Sequence, residues 1–448
     1  MAGTHSGVGK TTVATGLVAA LRRAGHRPAA AKVGPDFIDP GYHALASGRP
    51  PRNLDAWMCG PDALRPLAAR ATADADLLVI EGVMGLFDGA GDDIPASTAD
   101  VARLLEAPVV LVVDAGAMSG SVAALVAGYA HFDPGVEVAG VILNRVGSDG
   151  HETLLREALA PLGVPVLGAL RTDDRLAWRD RHLGLVPVAE QREQVLAALD
   201  RLAHAVAERI DLGALMRLVR RAPAAVVEPV RLPPPVAGPG DAPLRIAVAA
   251  GRAFTFTYSD TLDALAAAGA EVVPFDPMRD PALPTDVSGL IAGGGFPEEY
   301  IAELAANAPL LDDVRRRLAD GLPTWAECGG LLWLCRRLDG TPMVGAVPAE
   351  GHMTDRLTLG YRNATAVRAS PVADTGSTLR GHEFHYSAVE PAGDALRLSA
   401  RWGERLDGFA SPTLLASYLH VHPGGDPTPV THFARMCAAY AAQANLGA

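Results

Sequence analysis

The chain has 448 residues, 49% of them hydrophobic and 20% charged, with a formal net charge of −12 and a pI of about 5.5. That length accommodates two or three domains with substantial cores, and the acidic balance argues against nucleic acid or an anionic membrane surface as a partner. Four cysteines without a CxxC pair suit a reducing compartment, and neither a membrane span nor a signal peptide is legible, so the reading is a cytoplasmic protein.

In chain order, the first signal is GTHSGVGKTT, Gly3 to Thr12, a glycine-rich loop that opens a helix. Val13, Leu17, Ala20, Leu21 and Ala24 recur at helical steps before Gly25 stops the pattern. Backbone N–H groups of Gly7, Val8, Gly9 and Lys10 would face an anion at the helix N-terminus. Lys10 would reach the terminal phosphates, and the Thr11 hydroxyl, beside Thr12, would bind Mg²⁺. Thr4 stands where the strict phosphate-loop pattern has its first glycine, so a glycine turn that merely caps a helix is the plain alternative. Such a loop ordinarily follows a buried strand, yet only Met1 and Ala2 precede Gly3. The expectation is a short valine- and isoleucine-rich strand encoded in frame upstream.

Apolar runs then alternate with helical patterns: PAAAKV, DLLVIEGV, PVVLVVDA, VAGVILN and VPVLGAL. This implies parallel strands with crossover helices. Lys32 ends one strand, with Asp36 and Asp39 in the following loop; Glu81 ends another, with Asp88 seven residues on. Carboxylates at the C-terminal ends of parallel strands stand where open α/β sheets bind ligands. Four of them beside a phosphate loop point to a metal and electrophile site.

The proline- and alanine-rich segment 222–243 reads as a linker between an ATP-binding domain, 1–221, and a second α/β domain, 244–448. There the strand pattern resumes with RIAVAA, EVVPFD and SGLIAGGG. PTWAECGGLLWL reads as strand, sharp turn and helix, with Cys328 exposed at the turn, its thiolate favoured by the helix dipole. Cys335 is expected two turns down the same helix; Cys59, Cys335 and Cys437 read as inert core residues. Gly294, Gly295 and Gly329 offer backbone N–H groups for an oxyanion hole. ASYLHVHPGG supplies two candidate bases, His420 and His422. Neither has a glutamate two positions later, which leaves the third member of a Cys-His-Glu triad open. His382, Glu383 and His385 in RGHEFHYS could suggest a metal site but read as structural or substrate-facing.

Together GTHSGVGKTT, KVGPDFIDPGYH, NLDAWM, EGVMGLFDG, ILNRVGS and RHLGLVP resemble the cobyrinic (hydrogenobyrinic) acid a,c-diamide synthase family over essentially the whole chain. The resemblance implies an N-terminal P-loop domain similar to dethiobiotin synthetase and a C-terminal class I glutamine amidotransferase-like domain, both α/β. It implies ATP and Mg²⁺ as cofactors and L-glutamine and a corrinoid as substrates, a carboxylate being phosphorylated and then aminated. Asn144 is implied for the nucleotide, Lys32, Asp36 and Asp39 for the phosphoryl or substrate site, and Thr11, Glu81 and Asp88 for the metal. Aligning on S-Y-L-H selects His420, with His422 as runner-up. The family loop also begins G-T, in keeping with Thr4. Rival readings are an amidotransferase acting on another tetrapyrrole or a cell-wall precursor, and a partitioning-type ATPase. The ATPase carries a signature lysine where this chain has His5. Monomer and homodimer both remain open.

Overall fold

A run such as VVLVVD, apolar at every position but the last, suits a strand covered on both faces, and the first half of the chain is built on such runs. A computed structural model describes residues 1–91, 94–173, 180–181, 184–185, 187–219, 229–238, 240, 242–401 and 403–446. The chain divides into two units, Met1–Val230 and Arg231–Ala448.

The first unit runs β1 (Ala2–Gly3), α1 (Lys10–Arg23), β2 (Pro28–Val33), α2 (Asp39–Ser47), β3 (Asn53–Leu54), α3 (Pro61–Ala71) and β4 (Leu77–Glu81). It continues with α4 (Thr98–Leu105), β5 (Val109–Asp114), α5 (Ser121–His131), β6 (Val138–Val146), α6 (Asp149–Leu159) and β7 (Val166–Arg171). A short pair, β8 (Asp180–Arg181) and β9 (Gly184–Leu185), precedes α7 (Arg192–Arg209) and α8 (Leu212–Val219). Parallel strands form two sheets, ordered β1-β5-β6-β7 and β3-β2-β4. The glycine loop does have a strand beneath it, two residues long, pairing Ala2 with Leu111 and Gly3 with Val112. Gly82 N donates to Met1 O at 2.8 Å, which ties β1 to the residue after β4. A cavity of about 480 Å³ beside it is lined by Met1, Leu17 and residues of β4 and β5. In the RHLGLVP stretch, His182, Leu183 and Val186 lie outside the described residues, as do 222–228, 239 and 241 of the segment read as linker.

The second unit begins β10 (Leu244–Ala249), α9 (Ser259–Ala267), β11 (Ala270–Phe275), β12 (Gly289–Ala292), α10 (Ile301–Ala306), α11 (Ala308–Ala319), β13 (Thr324–Glu327) and α12 (Gly329–Leu334). Then come β14 (Cys335–Leu338), β15 (Thr341–Pro342), β16 (Val347–Ala366), β17 (Thr378–Glu390), β18 (Leu396–Ala400) and β19 (Gly403–Asp407). The chain closes with β20 (Phe409–Ser411), β21 (Leu414–Ser417), β22 (His420–Val421) and α13 (Thr428–Leu446). The main sheet is ordered β11-β10-β12-β13-β21-β20 and is parallel except at its β20 edge. A second sheet, β15-β14-β16-β17-β22, is dominated by the antiparallel β16–β17 pair and carries β22 with His420. The helix after Cys328 ends at Leu334, and Cys335 opens β14 rather than extending α12.

Candidate active sites

In the first unit the loop turns into α1 through Gly9, whose φ of 90° is the left-handed conformation that glycine adopts without strain. Asn144, at the end of β6, donates from Nδ2 to Val8 O at 2.8 Å, and Arg145 donates to Gly7 O at 2.9 Å. The loop is thus held from the next-but-one strand of its own sheet. Lys10 Nζ folds back onto His5 O at 3.1 Å. Burial and the neighbouring Lys32 lower its ammonium to about 8, so a bound anion would relieve a standing cost.

Below the loop, strand ends β2 and β4 are registered Lys32 to Glu81, which sets the two side chains against each other. Lys32 Nζ lies 2.8 Å from Glu81 Oε1 and 2.7 Å from Asp39 Oδ2. The Thr11 hydroxyl is 2.7 Å from Glu81 Oε1 and 3.2 Å from Asp39 Oδ2. His43 Nε2 donates to Glu81 Oε2 at 2.6 Å. Burial alone would raise Glu81, but Lys32 and His43 overcome it and hold the carboxylate well below its ordinary value. Burial and then Asp36 push Asp39 up, to about 8, against the pull of Lys32. Burial would lower Lys32, yet Asp39 and Glu81 raise it above the ordinary lysine value.

Of the residues expected here, Thr11, Lys32, Asp39 and Glu81 meet directly. Asp36 instead accepts from Ile38 N at 2.8 Å and Asp39 N at 3.1 Å, shaping the start of α2. Asp88 accepts from Gly85 N at 2.9 Å and acts on Lys10 through space. Among the described residues, no three His, Cys, Asp or Glu side chains form a metal-binding group. His43 was not singled out from the sequence. Its position four residues after Asp39, on one face of α2, was the available signal.

In the second unit the chain leaves β13 and reverses at Cys328, with φ 49° and ψ −103°, a strained conformation for a residue with a side chain. A Cβ on Gly329 would stand 3.0 Å from Gly295 N, so α12 packs directly on the Gly294–Gly295 turn. Cys328 itself is buried, 5% exposed, which corrects the expected exposed thiolate. Burial and the Glu298 carboxylate push its thiol well above the ordinary range, outweighing the Gly329 N–H that favours thiolate. A six-residue helix does not offset the loss of water.

Gly294 is corrected as an oxyanion donor, because its N–H already donates to Phe256 O at 3.0 Å. Its missing side chain has another effect: it makes room for the imidazole of His420. His420 Nδ1 lies 3.2 Å from Glu327 Oε2, and Val421 N donates to Glu327 Oε1 at 3.2 Å. The His382 ring stacks on His420 at 4.9 Å, and Tyr258 Oη lies 2.9 Å from His382 Nε2. Glu383 is paired instead with Arg362, at 2.6 Å, and with Arg405. His422 accepts from Gly424 N at 3.0 Å and meets the Tyr258 ring edge-on, with centroids 4.5 Å apart. Glu327 was missed by the sequence reading, which sought a carboxylate after the histidine.

A P-loop unit followed by a strand–cysteine–helix unit with an adjacent histidine defines a two-domain glutamine amidotransferase carrying a nucleotide-binding domain. Residues 1–185 match the CobQ/CobB/MinD/ParA nucleotide binding domain, and residues 245–428 match the CobB/CobQ-like glutamine amidotransferase domain. The chain is 49% identical to the hydrogenobyrinate a,c-diamide synthase of Streptomyces coelicolor, covering 98% of this chain and 96% of that protein. It is 50% identical to the Thermobifida fusca protein of that name (96% and 94% covered). It is 41% identical to the cobyrinate a,c-diamide synthase of Synechococcus sp. (98% and 97% covered). The chain belongs to the hydrogenobyrinate and cobyrinate a,c-diamide synthase family.

Proposed function

We propose that this protein, working in the cytoplasm, converts two acetate carboxylates, a and c, of a corrinoid to amides, using ATP and L-glutamine. The observation that carries the reading is the pairing, within one chain, of a phosphate loop above buried carboxylates with a cysteine elbow beside a histidine. Cys328 attacks the glutamine carboxamide while His420 takes the thiol proton and passes it to the leaving ammonia. Gly295 and Gly329 N–H groups serve the developing oxyanion, and water then releases glutamate from the thioester. In the N-terminal unit the ATP γ-phosphoryl group moves to a carboxylate oxygen, giving ADP and an acyl phosphate. Ammonia attacks the acyl carbon and phosphate leaves. The donor set fits Mg²⁺, because Thr11, Glu81 and Asp39 are hard oxygen donors and the two carboxylates share a single lysine. When bound, the ion would neutralise phosphate charge; Lys10 and Lys32 supply fixed positive charge beside it.

We assign the cobalt-free ring as substrate, since relatives named for hydrogenobyrinate are 46% to 50% identical and those named for cobyrinate 40% to 44%. The test is an assay of both acids with ATP, Mg²⁺ and glutamine, the products read by mass for two exchanges of OH by NH₂. No mass change with either acid overturns the reading; faster turnover of the cobalt form overturns the metal-free assignment. Cys328→Ala should lose the glutamine-driven reaction and keep the ammonium-driven one.

A further inference from the structure

The expected partner of the catalytic histidine in a Cys-His-Glu relay is a glutamate two residues later, and here that position is His422. We infer that Glu327, the residue immediately before the nucleophile, takes that place as the positioning residue for His420. This rests on the roles given above to Cys328 and His420. Parallel pairing of β13 with β21 aligns Glu327 with Ser417, and the chain then needs only Tyr418 and Leu419 to deliver His420 beside it. The carboxylate uses both oxygens, one at 3.2 Å from His420 Nδ1 and the other accepting from Val421 N at 3.2 Å. A carboxylate can only accept, so the contact fixes the proton on Nδ1 and leaves Nε2 as the base. Nε2 is turned toward the Gly294 side of the elbow, where a Cβ on Gly294 would lie 3.2 Å from it. The stacked His382 holds the ring plane from the side. Other carboxylates nearby have different work: Glu383 pairs with Arg362 and Arg405, and Asp260 Oδ2 lies 3.6 Å from His422 Nε2.

Placing the carboxylate before the cysteine rather than after the histidine couples its position to the strained elbow itself. Nucleophile and positioning residue then share one strand end, and the histidine arrives from the strand paired with β17.

The experiment uses the full-length protein with either glutamine or ammonium chloride as nitrogen donor, comparing Glu327→Gln, Glu327→Asp, Asp260→Asn and Cys328→Ala. Glu327→Gln should lower kcat with glutamine by about 10⁴-fold, the size of loss seen when the carboxylate of such a relay is neutralised. The KM for glutamine and the ammonium-driven rate should stay within about threefold of wild type. Glu327→Asp, which keeps the charge, should fall between the two, and Asp260→Asn should resemble wild type. Unchanged glutamine turnover in Glu327→Gln overturns the inference, and so does a loss carried by Asp260→Asn instead. If Glu327→Gln loses the ammonium reaction too, Glu327→Asp decides. It must lose at least about tenfold in glutamine kcat with the ammonium rate intact, and wild-type glutamine turnover there overturns the inference. Retention of glutamine turnover by Cys328→Ala would instead remove the nucleophile assignment, and the relay with it.

Discussion

Gly294 yields its side-chain space to His420: a Cβ built on the glycine would stand 2.6 Å from Cε1 of the imidazole. Such a distance cannot persist, so Gly294→Ala must displace the ring. A shift of about 1 Å in a positioned base costs on the order of 100-fold in rate. The expected outcome is a loss of about that size with glutamine as donor and none with ammonium. Steady-state rates with the two donors check it; equal rates with glutamine in wild type and variant would place the working base elsewhere.

The free-enzyme thiol should be unreactive at neutral pH. Burial first, and the Glu298 carboxylate second, raise the pKa of Cys328, so the thiolate fraction is small below that value and grows only as pH climbs beyond the usual thiol range. Alkylation by iodoacetamide, followed by peptide mass analysis, should be slower at Cys328 than at a free thiol peptide at about pH 7.5. Glu298→Gln should speed it. Rapid labelling at neutral pH would mean that the thiol is activated before substrate arrives.

In the N-terminal unit, Lys32 is 4% exposed and faces two carboxylates, one of them fully buried. Lys32→Met takes the ammonium partner from the buried, ionised Glu81 and should cost about 3–5 kcal/mol of stability. Amide formation should fall with either nitrogen donor, while glutamine hydrolysis at Cys328 persists. Adding Glu81→Gln should restore part of the stability and none of the amidation. Urea unfolding of the single and double variants measures the first effect, and product formation the second.

Acid should strike the second unit through Glu383. Burial works against its charge, but His385, Arg405 and Arg362 together lower its pKa from 4.5 to about 2. A carboxylate lowered on folding stabilises above its unfolded value, and that contribution is lost as pH falls from 4.5 toward 2. The amount at stake is about 3 kcal/mol. The thermal midpoint of the wild-type unit should therefore drop more steeply than that of Glu383→Gln between about pH 5 and about pH 3. Parallel curves would show that the arginines do not stabilise the ionised form.

Local patterns carried much of this protein. The apolar runs at β2, β5, β6, β12 and β13 were legible because a strand covered on both faces favours apolar residues at nearly every position. The loop from Gly3 to Thr12 and the candidates Cys328 and His420 were legible because their chemistry sits in short contiguous stretches. What the sequence could not supply was set by register and desolvation. Glu327 meets His420 only because β13 pairs with β21 in one particular register, a relation between residues 93 positions apart. Asp39, not Asp88, joins Thr11 and Glu81 because α2 begins where β2 delivers it. The Gly294 amide is spent on Phe256 across an isolated bridge that no local pattern announces. The thiol of Cys328 is raised rather than lowered because burial depends on what the rest of the chain packs around it. Residue type and periodicity fixed the strands and the reactive groups; pairing register and exclusion of water, properties of the folded chain alone, decided which groups work together and in what protonation state.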